Sequence, residues 1–239
     1  MDRLTRHDLK QDELRTTFEH FEEYVKERYK EILGVSGMVI VVVGLVVGLK
    51  LYAGRQEAEA NASLGVALRT FRAYVGPPAP GMLGPDAETF ATAREKYKKG
   101  LEQFAEVTQR FPRSKAAEIA RYHVGICQAQ LGDSAGAIRT LQEAARASDK
   151  EIAALGQFAL AGELAATGKL ADAVKIYQHL TDHPTSTVPQ ATALLALADA
   201  YRPTQAAQAR KIYERLQKDL STNANLAQVL KQQIDSLPK

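Results

Sequence analysis

The sequence predicts an all-α chain: one membrane-crossing helix followed by a solenoid of stacked helix pairs. Three observations predict it. The 18 residues from Ile32 to Leu49 carry no charge and nothing more polar than Ser36. From Leu51 onward the chain is rich in Ala, Leu, Gln, Glu and Lys and has no alternating β-branched run, so strands are not expected. Residue types in this region recur with a period of 36, within the range that marks stacked supersecondary units.

The 239 residues suffice for one domain plus an appendage. Apolar residues make up 45% and charged residues 25%, a balance that excludes wholesale disorder. The single cysteine, Cys127, excludes an intramolecular disulfide framework and any multi-cysteine zinc site. A net charge of +3 gives no ground for nucleic-acid binding. The charges are unevenly spread: 7 Lys/Arg and 9 Asp/Glu before Ile32, none to Leu49, then 24 and 19.

An uncharged run of about 18 residues is long enough to cross a hydrocarbon core as a helix, and too long for a strand. Tyr29 and Tyr52 flank it. At ~1.5 Å per residue they stand roughly 34 Å apart, near the two interfaces. Lys50 can snorkel to the headgroups. A membrane helix over 32–52 is therefore expected. A cleaved leader would need a nearby small-residue site, but Ala58-Glu59-Ala60 follows a charged spacer, so the anchor is expected to stay. Basic residues near the run are almost balanced: Arg15, Lys26, Arg28 and Lys30 before it, Lys50, Arg55 and Arg69 after it. With three more in the tail, the expected orientation puts residues 1–31 in the cytoplasm and 53–239 outside, in the periplasm of a Gram-negative cell. Gly37, Gly44 and Gly48 share one helix face, which would let another helix approach closely.

In the tail, Asp8-Leu9-Lys10-Gln11 reads as a capping box. Leu14, Phe18, Phe21, Val25 and Ile32 form one apolar stripe of a helix expected to run unbroken into the membrane segment. Such a stripe needs cover from a second copy, another protein or lipid, and a homodimer would suit both the stripe and the glycine face.

The helix is expected to continue over 53–75. The segment 76–87, with four Pro and three Gly, reads as a loop, and helical patterning resumes near Glu88. The repeat then shows residue by residue. Leu131-Gly132-Asp133 aligns with Thr167-Gly168-Lys169, and Ala137-Ile138 aligns with Ala173-Val174. One period later the match is Ala209-Arg210, and Leu180 matches Leu216. These positions resemble the tetratricopeptide repeat, whose unit is two antiparallel helices with a small residue in each where backbones meet. Gly125 and Ala161 match the small position of the first helix. Ala137, Ala173 and Ala209 match that of the second, and Pro112 and Pro184 match the closing proline. The resemblance implies a tetratricopeptide-type α-solenoid over 53–239, closed by a capping helix over 225–237 with Asn225 as its N-cap.

No catalytic residue, metal site or cofactor motif is expected. His179 and His183 share a helix face, but Leu180 stands where a metalloprotease helix has glutamate. Cys127 reads as a small buried residue. Position five of each first helix is Tyr122, Phe158 and Leu194, again 36 apart. This ladder either lines a groove for an extended apolar peptide or packs between helices.

The layout as a whole is similar to the ancillary SecYEG translocon subunit (YfgM-like) family: a charged cytoplasmic helix, one anchor, then a tetratricopeptide array. The resemblance implies association with the Sec translocon, with periplasmic chaperones and with client polypeptides as they emerge. Arg110-Phe111-Pro112-Arg113-Ser114 also resembles the array of the periplasmic cell-division coordinator family, which implies a scaffold in envelope or division assembly.

Overall fold

The computed structural model describes residues 6–77, 88–219 and 224–238. Side-chain surroundings are described at Arg28, Lys30, Leu33 and Gly34, and from Gly37 onward within the first helix; in the last helix they are described from Ala227. The expected apolar stripe from Leu14 to Ile32 therefore lies outside the described side chains. The chain divides into two compact units, 1–55 and 56–239.

Helix α1 spans Arg6–Arg72. It is broken at Arg28 (φ −114°, ψ 18°), which corrects the expectation of an unbroken helix. Neither Pro nor Gly occurs between Tyr24 and Leu33 to signal the break. Because the helix starts at Arg6, Asp8 is already inside it rather than at its cap. In the first unit every residue from Gly37 to Arg55 is exposed, with Val39 at 54%, Leu45 at 62% and Leu49 at 67%. Uncovered aliphatic side chains in such a row are costly in water and favourable in hydrocarbon. Among the described residues, one helical stretch, Gly37–Arg72, is long and apolar enough to cross a membrane.

The second unit begins with the last turns of α1. These are followed by β1 (Tyr74–Val75), β2 (Thr89–Phe90), α2 (Ala93–Arg110), α3 (Lys115–Gln130), α4 (Ser134–Ala144) and α5 (Lys150–Ala166). Then come α6 (Leu170–Asp182), α7 (Gln190–Tyr201), α8 (Ala206–Asp219) and α9 (Ala224–Asp235). From α2 to α9 each helix packs against its neighbours in sequence, and α3 also meets α5, as a solenoid requires.

Two local expectations are corrected. The helix stops at Arg72 instead of reaching 75, and a short parallel strand pair follows, with Tyr74 opposite Thr89 and Val75 opposite Phe90. Tyr, Val, Thr and Phe favour extended backbone, and Gly76 turns away at φ +102°. The next helix starts at Ala93 rather than near Glu88, because Thr92 caps it by accepting from the Glu95 amide. At the other end, α9 starts at Ala224, so Asn225 falls in the first turn.

The repeat is geometric as well as sequential. Helices α4, α6 and α8 begin 36 residues apart, at Ser134, Leu170 and Ala206. Gly132 and Gly168 occupy matching turns at φ +87° and +82°, a conformation that costs other residues about 1 kcal/mol or more. Phe111 and His183 both end helices ahead of a proline, at φ −127° in each case. Ala137, Ala173 and Ala209 are each 0% exposed, and Leu141, Tyr177 and Tyr213 one turn on are 1%, 5% and 0% exposed. Each of those larger side chains contributes about 1.5–3 kcal/mol of burial.

The first helices keep the period less strictly. Their buried small residues run Ala120, Gly156, Ala193 and Gly125, Ala161, Ala198. The intervals are 36 and then 37, so α7 is shifted by one position.

Candidate interaction surface

Three glutamates tie successive first helices together. Glu57 in α1 accepts a hydrogen bond from the Lys115 amide, at the start of α3 (3.3 Å). Glu118, in the first turn of α3, accepts from the Ser148 amide (3.0 Å) and hydroxyl (2.6 Å), just before α5. Glu151, in the first turn of α5, accepts from the Ser186 hydroxyl (2.8 Å) and the Thr187 amide (2.8 Å), ahead of α7. At α3 the carboxylate satisfies an amide of the helix's own first turn, whereas at α5 and α7 it satisfies amides of the segment that enters the helix. The Thr187 amide, with the Ser186 hydroxyl, holds the Glu151 carboxyl at about 2. For Glu118, burial works in the opposite direction, but the Ser148 hydrogen bonds prevail and lower its pKa. Sequence comparison missed this set because Glu118 is the fourth residue of its helix and Glu151 the second of its own. They are therefore out of step with the 36-residue period.

The expected ladder residues fall in different environments. Tyr122 is half-buried, its ring edge-on to His123 at 5.0 Å, and burial raises its hydroxyl pKa. Phe158 is half-buried and meets Tyr177 edge-on at 5.6 Å. Both pack against the main core cluster. Leu194 is 8% exposed and belongs to that cluster itself. Given the one-residue shift of α7, the counterpart of Tyr122 and Phe158 is Leu195, which is 36% exposed. At this position of successive first helices the array thus carries two half-buried aromatic rings and then the exposed Leu195.

Gly37, Gly44 and Gly48 are exposed, and a Cβ added at any of them would meet nothing within 4 Å.

The remaining polar residues have structural environments. His179 and His183 stand at the end of α6 with ring centroids 4.5 Å apart, and the described residues contain no group of three metal-ligating side chains. Cys127 is 0% exposed, and burial pushes its thiol up to about 12, so it packs as a small apolar residue. His123 was not singled out by its sequence context. Its ring stacks on Phe104 at 4.7 Å and meets Phe71 at 4.9 Å. Its Nδ1 is buried with no protein partner. Burial, with the nearby Arg72 charge, lowers its pKa to about 4, so it stays neutral near pH 7.

Antiparallel helix pairs, glycine turns and fully buried alanines at a 36-residue period define an α-solenoid of the tetratricopeptide type. The tetratricopeptide repeat family matches residues 192–220, which take in most of α7 and all of α8. No curated protein and no solved structure matches the chain. The chain therefore carries a tetratricopeptide repeat within an all-α array, preceded by one helix long and apolar enough to span a membrane.

Proposed function

We propose that the chain is a membrane-anchored protein-interaction module, and specifically an ancillary subunit of the Sec translocon. Its array would contact emerging chains or periplasmic chaperones. The observation that carries this reading is the pairing of an uncovered apolar helix segment with a repeat array whose polar contacts join one unit to the next. Such an array offers surface rather than chemistry. Residues 1–31 would lie in the cytoplasm, 32–52 in the inner membrane and the array in the periplasm. Gly37, Gly44 and Gly48 would seat a helix of the membrane partner or of a second copy. Tyr122, Phe158 and the exposed Leu195 would line the face that takes an apolar segment of a client.

The stretch Arg110 to Ser114 is a structural corner, with Phe111 closing α2 and Ser114 capping α3. Its likeness to the division-coordinator array therefore gives no separate support to a division scaffold. Crosslinking in intact membranes, followed by mass spectrometry of the adducts, tests the proposal. Adducts with translocon subunits, exported chains or periplasmic chaperones are expected. Adducts confined to division or envelope-assembly proteins would replace the Sec reading with the scaffold reading.

A further inference from the structure

A cleft of about 800 Å³ opens between the end of α1, the strand pair and α2. Glu88 is the one carboxylate among its lining residues, and its oxygens are already engaged. One accepts from Lys99 Nζ at 2.6 Å, the other from the hydroxyl of Thr70 at 2.8 Å. Thr70 is 1% exposed, so this pair is fixed to the packed side of α1.

Three cations in the lining are left without a carboxylate among the described residues: Arg69, Arg72 and Lys96. Lys96 Nζ donates to the Ala73 carbonyl at 3.4 Å and lies over the Tyr97 ring, 4.9 Å from its centroid. Arg69 and Arg72 are three apart in the last turn of α1, where cations suit the helix dipole. The dipole does not account for the apolar surface beside them. After Tyr52, the exposed large hydrophobic residues among the described ones are Val66 (43%), Tyr74 (38%), Leu195 (36%) and Val229 (49%). Val66 and Tyr74 both line this cleft.

We propose that the cleft binds an acidic peptide segment of a partner protein. Arg69 and Arg72 pair with its carboxylates, and Val66 and Tyr74 cover a neighbouring apolar side chain. The planar guanidinium fork matches a carboxylate in two parallel hydrogen bonds, and Lys96 adds a point charge to the same field. A small inorganic anion would leave Val66 and Tyr74 in water, whereas a peptide uses both kinds of surface.

The test is fluorescence anisotropy on the full chain in detergent micelles. The probes are a fluorescein-labelled Glu-Glu-Phe-Glu-Glu peptide, its lysine counterpart and a pentaglutamate. The Glu-Glu-Phe-Glu-Glu probe is expected to bind, with an affinity that falls as salt rises. Arg69→Ala combined with Arg72→Ala should weaken it about tenfold. Tyr74→Ser should weaken the phenylalanine peptide and leave the pentaglutamate unchanged. All three residues are exposed, so the melting temperature should hold and the variants remain interpretable. Equal binding of the lysine peptide would overturn the proposal. So would an unchanged affinity in the double variant, or competition by inorganic phosphate at the peptide's own concentration.

Discussion

Glu151 accepts hydrogen bonds from both the amide and the hydroxyl of Thr187, 36 residues further along the chain, at 2.8 and 2.9 Å. The contact joins the first turn of α5 to the segment that leads into α7. Its length in sequence is one repeat, so it couples a unit to the next one. Glu118 and Glu57 make the corresponding contacts earlier in the array.

The first prediction follows from the depressed pKa of Glu151. Its carboxyl sits at about 2 in the fold, against an ordinary glutamate value of 4.5. A lowered carboxyl pKa contributes stability that is fully present above the unfolded value and is lost as pH falls through the folded one. Glu151→Gln should therefore lower the melting temperature at pH 7. The gap between parent and variant should close between about pH 5 and pH 2. A gap that stays constant down to pH 2 would show that the charge on Glu151 is not the source.

His123 titrates in a different window. Its folded pKa is about 4 and the ordinary histidine value is 6.5, so the unfolded chain takes up the proton first as pH falls. Stability should fall progressively from pH 6.5 towards pH 4, by about 3 kcal/mol in all. His123→Phe removes the titration and should flatten melting temperature against pH between those values. An unchanged slope in the variant would assign the acid sensitivity elsewhere.

Gly156 packs against backbone. A Cβ there would come within 2.6 Å of the Ala144 carbonyl carbon and the Ala145 nitrogen. Gly156→Ala should cost about 1–3 kcal/mol, because main chain must move. At Gly65 the nearest atom to an added Cβ is the Arg69 guanidinium at 3.9 Å. Gly65→Ala in the same helical context should stabilise by about 0.5–1 kcal/mol. Paired denaturant titrations separate the two, and equal effects would rule out the close approach of α4 to α5.

Much of this was legible in the sequence, because it depends on residue size and backbone freedom. Gly132 and Gly168 reported the turns, and Ala137, Ala173 and Ala209 reported the helix contacts, since no larger residue fits there. The uncharged run reported itself by composition. Features that break the period were not legible. The slip of α7 moves exposure from Leu194 to Leu195 without changing residue type. Glu118 and Glu151 do one job from different helix positions. The strands at Tyr74 and Thr89 are two residues each, below the length at which alternation shows, and they pair across the Pro- and Gly-rich segment. The Arg28 break has no composition signal. His123 gains its environment from Phe71 and Phe104, which are distant in sequence.

The ladder separates packing from recognition. Phe158 is half-buried against Tyr177, so Phe158→Ala should cost about 2–4 kcal/mol of stability. Leu195 is 36% exposed, so Leu195→Ala should cost less, about 1 kcal/mol. If this face takes clients, Leu195→Ala should reduce crosslinking to them by more than its small loss of stability accounts for. A loss of crosslinking only in Phe158→Ala, in step with its unfolding, would remove the face from the account.

The central claim is that one helix displays the array on the outer side of the inner membrane. Its most direct test is protease added to spheroplasts of cells making the full chain, followed by detection with antibodies to residues 1–31 and to the array. The account predicts that the array is digested while a membrane-bound fragment keeps the amino-terminal epitope. An array that survives until detergent is added would contradict it.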